Sequence, residues 1–149
     1  MIVYVSQIYG KPGVSFPFSH LMQGWMTDEL SALAKHSTDF ASKYGADFNL
    51  GVNLSADKNI TDNQIKGPAI FKKTKDVEYT LFLPYDVIIQ AEGGCRTALG
   101  YLLDGIRRIF VLAGVDPTML DERRDSIITH ICSDPTMLNE PWPDRSGLQ

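Results

Sequence analysis

Hydrophobic and polar positions along this chain follow two periods. Residues 2–8, Ile-Val-Tyr-Val-Ser-Gln-Ile, are rich in β-branched and aromatic side chains and predict a first strand. Leu21, Met22, Trp25, Met26, Leu30, Leu33 and Ala34 then recur at helical spacing. They predict an amphipathic helix from a Ser19 cap to about His36. Period two returns over 46–54, where Phe48, Leu50, Val52 and Leu54 face one way and Asp47, Asn49, Gly51 and Asn53 the other. Residues 68–74 and 77–84 read as a hairpin around Lys75-Asp76. In its second arm Val77, Tyr79, Leu81 and Leu83 share one face, and Glu78, Thr80 and Phe82 share the other. The clearest stripe is Leu99, Leu102, Leu103, Ile106, Ile109, Phe110 and Ala113, a helix over about 95–113 that Gly114 closes.

The connections are legible from their turn chemistry. Gly10, Pro12, Gly13 and Pro17 punctuate a loop, in which Phe16 and Phe18 are expected to anchor to the core. A short helix over 38–44 ends at Gly45, 55–66 reads as a polar surface loop, and 85–94 is a partly helical connection. Asp116-Pro-Thr-Met-Leu120 recurs as Asp134-Pro-Thr-Met-Leu138. In each copy Asp suits an N-cap and Pro the first helical position, which predicts helices at about 117–131 and 135–139. The order β-α-β-β-β-α-α predicts one α+β domain over 1–149, with 140–149 as an irregular tail. Its expected architecture is a mainly antiparallel sheet of about four strands, with two long amphipathic helices packed on it and extra C-terminal helices.

Composition narrows the function classes. At 44% hydrophobic and 21% charged residues, the chain has ordinary globular usage, which argues against disorder. A net charge of −4 argues against a general nucleic-acid binder. Charge is unevenly spread: residues 65–75 hold four lysines and no acid, while 76–149 hold twelve acids and six bases. Lys66, Lys72, Lys73 and Lys75 suit a guarded edge strand better than a phosphate site. The N-terminus reads as a strand and not a signal peptide, and no apolar run is long enough to span a bilayer. With only Cys95 and Cys132, a reduced thiol pair in the cytoplasm is expected, and no membrane association.

Candidate chemistry is sparse. Cys95 starts a helix after two glycines, where a thiol can be activated, but it needs a base from His20, His36 or His130. A small buried residue at a helix start is the simpler reading. The Gly93-Gly94-Cys95-Arg96 turn could hold an anion, yet it lacks a phosphate-loop pattern, and two glycines turning into a helix account for it. His130 and Cys132 are two apart, the wrong spacing for two ligands on one helix face, and no metal or cofactor is expected. Asp28-Glu29, Asp121-Glu122, Arg107-Arg108 and Arg123-Arg124 read as surface charges or mutual partners.

The segments Met1 to Gly10, Phe71-Lys-Lys-Thr-Lys-Asp-Val-Glu-Tyr-Thr-Leu-Phe-Leu and Ala98-Leu-Gly-Tyr-Leu-Leu-Asp-Gly-Ile-Arg-Arg-Ile carry a resemblance. In order and character they resemble the immunity protein 44 family of bacterial polymorphic-toxin systems, across residues 1–113 as topology. The resemblance implies a non-enzymatic, cytoplasmic protein that binds and neutralises a cognate toxin domain, as in contact-dependent growth inhibition. No family motif is reproduced residue by residue, so no functional position comes with it. Candidate partner contacts are instead Asp57, Asp62, Glu78, Tyr85, Asp86 and Glu92, polar or aromatic residues in loops or on the outward strand face. The alternatives are a small cysteine-dependent enzyme and a small-ligand module using the Gly93–Arg96 turn.

Overall fold

The computed structural model describes residues 1–7, 18–34, 37–90 and 94–138. Phe16, Lys35, His36, Glu92, Gly93 and Trp142 lie outside them. The elements run β1 (Val3–Gln7), α1 (His20–Leu33), α2 (Thr38–Tyr44), β2 (Asn49–Asp57), β3 (Gln64–Phe71), β4 (Asp76–Pro84), α3 (Tyr85–Gln90), α4 (Cys95–Ala113) and α5 (Thr118–Cys132), followed by a 3-10 turn at Pro135–Met137.

The fold is α+β with one four-stranded sheet in the order β1-β2-β4-β3. The strand directions differ from expectation. β1–β2 and β2–β4 are parallel and only β3–β4 is antiparallel, so the sheet is mixed and not mainly antiparallel. The hairpin forms, with its second arm where the pattern puts it, but its first arm runs over Gln64–Phe71 and not 68–74, its turn lies at 72–75, and β4 inserts between β2 and β3. The sequence chemistry supplies a reason. Val77, Tyr79, Leu81 and Leu83 of β4 are at most 2% exposed, a fully core-facing row. β3 carries Gly67 and Pro68 at a break in its register and is exposed along most of its length. Proline has no N–H to donate to a ladder, so β3 belongs at an edge and the more apolar strand in the centre. The parallel β1–β2 pair is joined through α1, as a parallel pair needs a crossover.

The loop expected over 55–66 is shorter than its polarity suggests. β2 runs on to Asp57 and β3 begins at Gln64. The pairing of Ser55 and Asp57 with Phe82 and Pro84 extends the ladder past the apolar run.

The core lies between one sheet face and the helices. Leu50, Val52 and Leu54 of β2 and the β4 row meet Met22, Met26 and Leu30 of α1 and Leu99, Leu102, Ile106 and Ile109 of α4. Phe18 is fully buried, pairing as an isolated bridge with Leu138. Leu21 departs from the expected α1 stripe and is exposed, one position off the buried face set by Met22 and Met26. Trp25 is half-buried and stacks on His130 of α5 at 4.3 Å between ring centres.

α1 also closes the open edge of β1. The Val3 N–H donates to Ser31 Oγ and the Val5 N–H to Thr27 Oγ1, each at 2.9 Å, and the Ser31 hydroxyl donates back to the Val3 carbonyl. Two helix hydroxyls thus satisfy backbone groups that a further strand would otherwise have to pair.

The repeated Asp-Pro-Thr segments fold alike. Asp116 Oδ1 accepts from the Thr118 N–H and hydroxyl, and Asp134 Oδ1 from those of Thr136. The first opens α5 and the second the 3-10 turn.

The cysteines are joined, contrary to the expectation of a reduced pair. A disulfide links Cys95, at the start of α4, to Cys132, at the end of α5, with Cα atoms 5.8 Å apart. α4 and α5 pack as an antiparallel pair, so residues 37 apart in sequence meet at one end of it. Sequence spacing alone does not reveal that meeting. Among the described residues, no helix is long and apolar enough to cross a membrane.

Candidate functional site

Helices bury one face of the sheet. On the other face, the strand registers set two rows of side chains side by side. One row is Tyr4, Gly51, Glu78 and Ala69; the next is Ser6, Asn53, Thr80 and Lys66. These positions are the polar phase of the same alternation that builds the core, so the residues that make the fold necessarily display this set.

A directed hydrogen-bond network crosses the rows. The Ser6 hydroxyl donates to Asn53 Oδ1 at 2.9 Å, and Asn53 Nδ2 donates to Glu78 Oε1 at 2.7 Å. Tyr4 approaches the same carboxylate. Burial, the negative charges of Glu78 and Asp76, and a hydrogen bond to Glu78 raise its phenol pKa above the ordinary tyrosine value. Its hydroxyl therefore keeps its proton and serves as a donor to Glu78. No described cation forms an ion pair with that carboxylate.

Beside Glu78 lies a depression of about 310 Å3, lined by Asn53, Lys66, Gly67, Ala69, Phe71, Glu78 and Thr80. Lys66 holds its ammonium 5.2 Å from the centre of the Phe82 ring. Phe71 is 48% exposed on the β3 side. A larger hollow of about 370 Å3 is lined by Met1, Ser31, Ala34, Ser37, Thr38, Phe40, Ala41 and Ala46, with no ionisable side chain among them. The smaller depression therefore carries more recognition chemistry than the larger.

Of the expected contact residues, Glu78 sits at the centre of this face. Asp57, Tyr85 and Asp86 gather elsewhere, where β2 and β4 end and α3 begins. There Asp57 accepts from the Asn59 N–H, and Lys58 Nζ stands 5.8 Å from the centre of the Tyr85 ring. Asp62 accepts from the N–H of Asn63, whose side chain in turn donates to the Tyr101 carbonyl and ties the loop to α4. Glu92 lies outside the described residues. Tyr4, Ser6, Asn53 and Thr80 were missed as site residues. The alternation that put Glu78 outward also put Thr80 and Asn53 outward, but nothing local says that β1 and β2 bring them together.

The other candidates separate cleanly. Cys95 is fully buried and disulfide-bonded, so it offers no thiol to a substrate. Arg96 lies against Thr129 of α5 at 3.4 Å. The paired charges largely find one another: Arg107 with Asp121, Arg123 with Glu29, and Arg124 with Asp104. Among the described residues, no group of three or more His, Cys, Asp or Glu side chains is placed to hold a metal ion.

No protein family matches the chain, and neither a curated protein nor a solved structure matches it at a significant level.

Proposed function

We propose that this protein acts by binding another protein on the open face of its sheet, and that the partner is a bacterial toxin domain which it neutralises. One observation carries the reading. The open face holds an ordered polar network ending on a carboxylate that forms no ion pair among the described residues, whereas the thiol that a cysteine enzyme would need is locked in a disulfide. Preset polar groups around a shallow depression suit recognition of a partner surface, since ordering them beforehand lowers the cost of binding. The resemblance to immunity proteins in the order of elements supplies the choice of a toxin. Inhibition by occlusion needs a stable scaffold and a complementary patch, and no chemistry.

The cytoplasm is the compartment that the resemblance implies. The disulfide weighs the other way, because such bonds persist mainly in oxidising compartments. A toxin-neutralising protein is needed wherever its toxin is active, so we infer a compartment that keeps Cys95 and Cys132 joined. Non-reducing mass measurement of the protein taken directly from its native cells decides between the two.

The functional test is a growth assay. A candidate toxin domain encoded beside the gene is expressed with and without this protein. Restored growth, lost on Glu78→Arg in a variant with an unchanged melting temperature, supports the reading. Equal protection by that variant removes the open face from it, and failure to protect against every neighbouring toxin candidate counts against the toxin reading.

A further inference from the structure

The geometry points to an arginine side chain as the group that the depression beside Glu78 receives from the partner. The inference rests on the protein-binding reading and adds the chemistry of the contact. Glu78 is a half-buried carboxylate oriented by Asn53 Nδ2, a neutral donor, with the Tyr4 hydroxyl as a second. Neutral donors hold a carboxylate in place without cancelling its charge. Asp76, one register row away, adds a second negative charge to the same side of the sheet. The local field is therefore negative where the donors converge, and a cation complements it.

Three features favour a guanidinium over other cations. The Phe71 ring, 48% exposed, lines the depression and offers a face on which a flat cation can lie. The two oxygens of the Glu78 carboxylate suit a planar fork, and Thr80, two residues along the same strand, lines the depression with a further acceptor. A guanidinium also gives up water more readily than an ammonium, which suits a depression partly lined by Ala69 and Phe71. Lys66 also lines the depression, with its ammonium over the Phe82 ring, 5.2 Å from its centre, and forms no ion pair with Glu78. A metal ion fits poorly, because Asn53 presents its amide nitrogen to the carboxylate and not its oxygen.

The test titrates the full chain with N-acetyl-arginine amide, a single-charge probe, and follows amide resonances by NMR. Saturable shifts are expected at the Asn53 side-chain amide and at the backbone of Ala69, Phe71, Glu78 and Thr80. The glutamine analogue, which lacks the charge, should leave them unmoved, and the lysine analogue should bind several-fold more weakly. Glu78→Gln should weaken the arginine probe by about tenfold or more, as loss of a charge-assisted bond does. Phe71→Ala, at an exposed edge position, should weaken it a few-fold without altering the rest of the spectrum, which keeps the test valid if Glu78→Gln perturbs the fold. Equal shifts with the glutamine analogue, shifts confined to another surface, or unchanged affinity in both variants overturns the proposal. If the probe binds as expected but a partner complex ignores Glu78→Gln, the site stands and the docking face is wrong. If a partner complex depends on this face but the probe does not bind, the face stands and the guanidinium assignment falls.

Discussion

The ring of Tyr4 lies on the backbone of Gly51. A Cβ built at Gly51 would stand 2.5 Å from both Cζ and the hydroxyl oxygen of Tyr4, its register partner on β1. No side chain larger than hydrogen fits under the ring as placed, and that placement brings the hydroxyl to Glu78. Gly51→Ala is therefore expected to swing Tyr4 outward. The ring is on an open face and has somewhere to go, so stability should change by less than about 1 kcal/mol. The phenol should return toward the ordinary tyrosine pKa, measured by tyrosinate absorbance with Tyr4→Phe as the reference. An unmoved titration would show that Tyr4 is not held by Gly51.

Gly105 makes the same approach with the opposite consequence. A Cβ there would lie 2.5 Å from both methyl carbons of Leu81. Leu81 is fully buried in the core, so it cannot swing into solvent. Gly105→Ala should cost about 1–3 kcal/mol through overpacking, despite the better helix propensity of alanine. Pairing it with Leu81→Ala should give a double mutant less destabilised than the two single losses added together. Chemical denaturation of the four proteins measures this, and strict additivity would contradict the contact.

The disulfide closes a loop between residues 37 apart. Chain-entropy arguments put its stabilisation at about 3–4 kcal/mol, acting largely through the unfolded state. Reduction, or replacement of both Cys95 and Cys132 by alanine, should lower the denaturation midpoint accordingly. Both residues are nearly inaccessible, so reductant should act slowly on the folded chain and quickly in denaturant. Two free thiols titrating at once in denaturant without reductant would rule the bond out.

Acid should weaken the C-terminal turn. Thr136, through its hydroxyl and N–H, holds the Asp134 carboxyl below the ordinary aspartate pKa. A lowered folded pKa contributes stability that is present above the unfolded value and lost as pH falls through the folded one. The acid limb of the stability curve should therefore be shallower in Asp134→Asn, which keeps an acceptor oxygen but no titrating group. Melting temperatures from neutral pH down to about pH 3, spanning the unperturbed aspartate range, test this. Parallel curves would remove Asp134 from the acid response.

Much of this fold is legible in one dimension. The helix at 95–113 and the buried faces of β2 and β4 follow from side-chain spacing, and the short helix at 38–44 is read from its Gly45 stop. Spacing decides which face an element can bury before anything is packed against it. The repeated Asp-Pro-Thr caps are equally local, since donor and acceptor are two residues apart. Glu78 was placed outward for the same reason.

What periodicity could not rank was which strands become neighbours. Placing β4 beside β2 depends on its competition with β3 for the central position, and that is settled by packing and by the tolerance of an edge for Gly67 and Pro68. That placement, together with the α1 crossover that makes β1 parallel to β2, gives a mixed sheet where a mainly antiparallel one is expected. The meeting of Cys95 with Cys132 likewise required two helices to be laid antiparallel first. The Tyr4, Ser6, Asn53 and Glu78 network draws on three strands, its first and last members 74 positions apart in the sequence. The sequence by itself determined the elements and their inward and outward faces, because those depend on contacts a few residues long. Only tertiary structure decided which outward residues share a site, because adjacency in a sheet is a property of all the strands together.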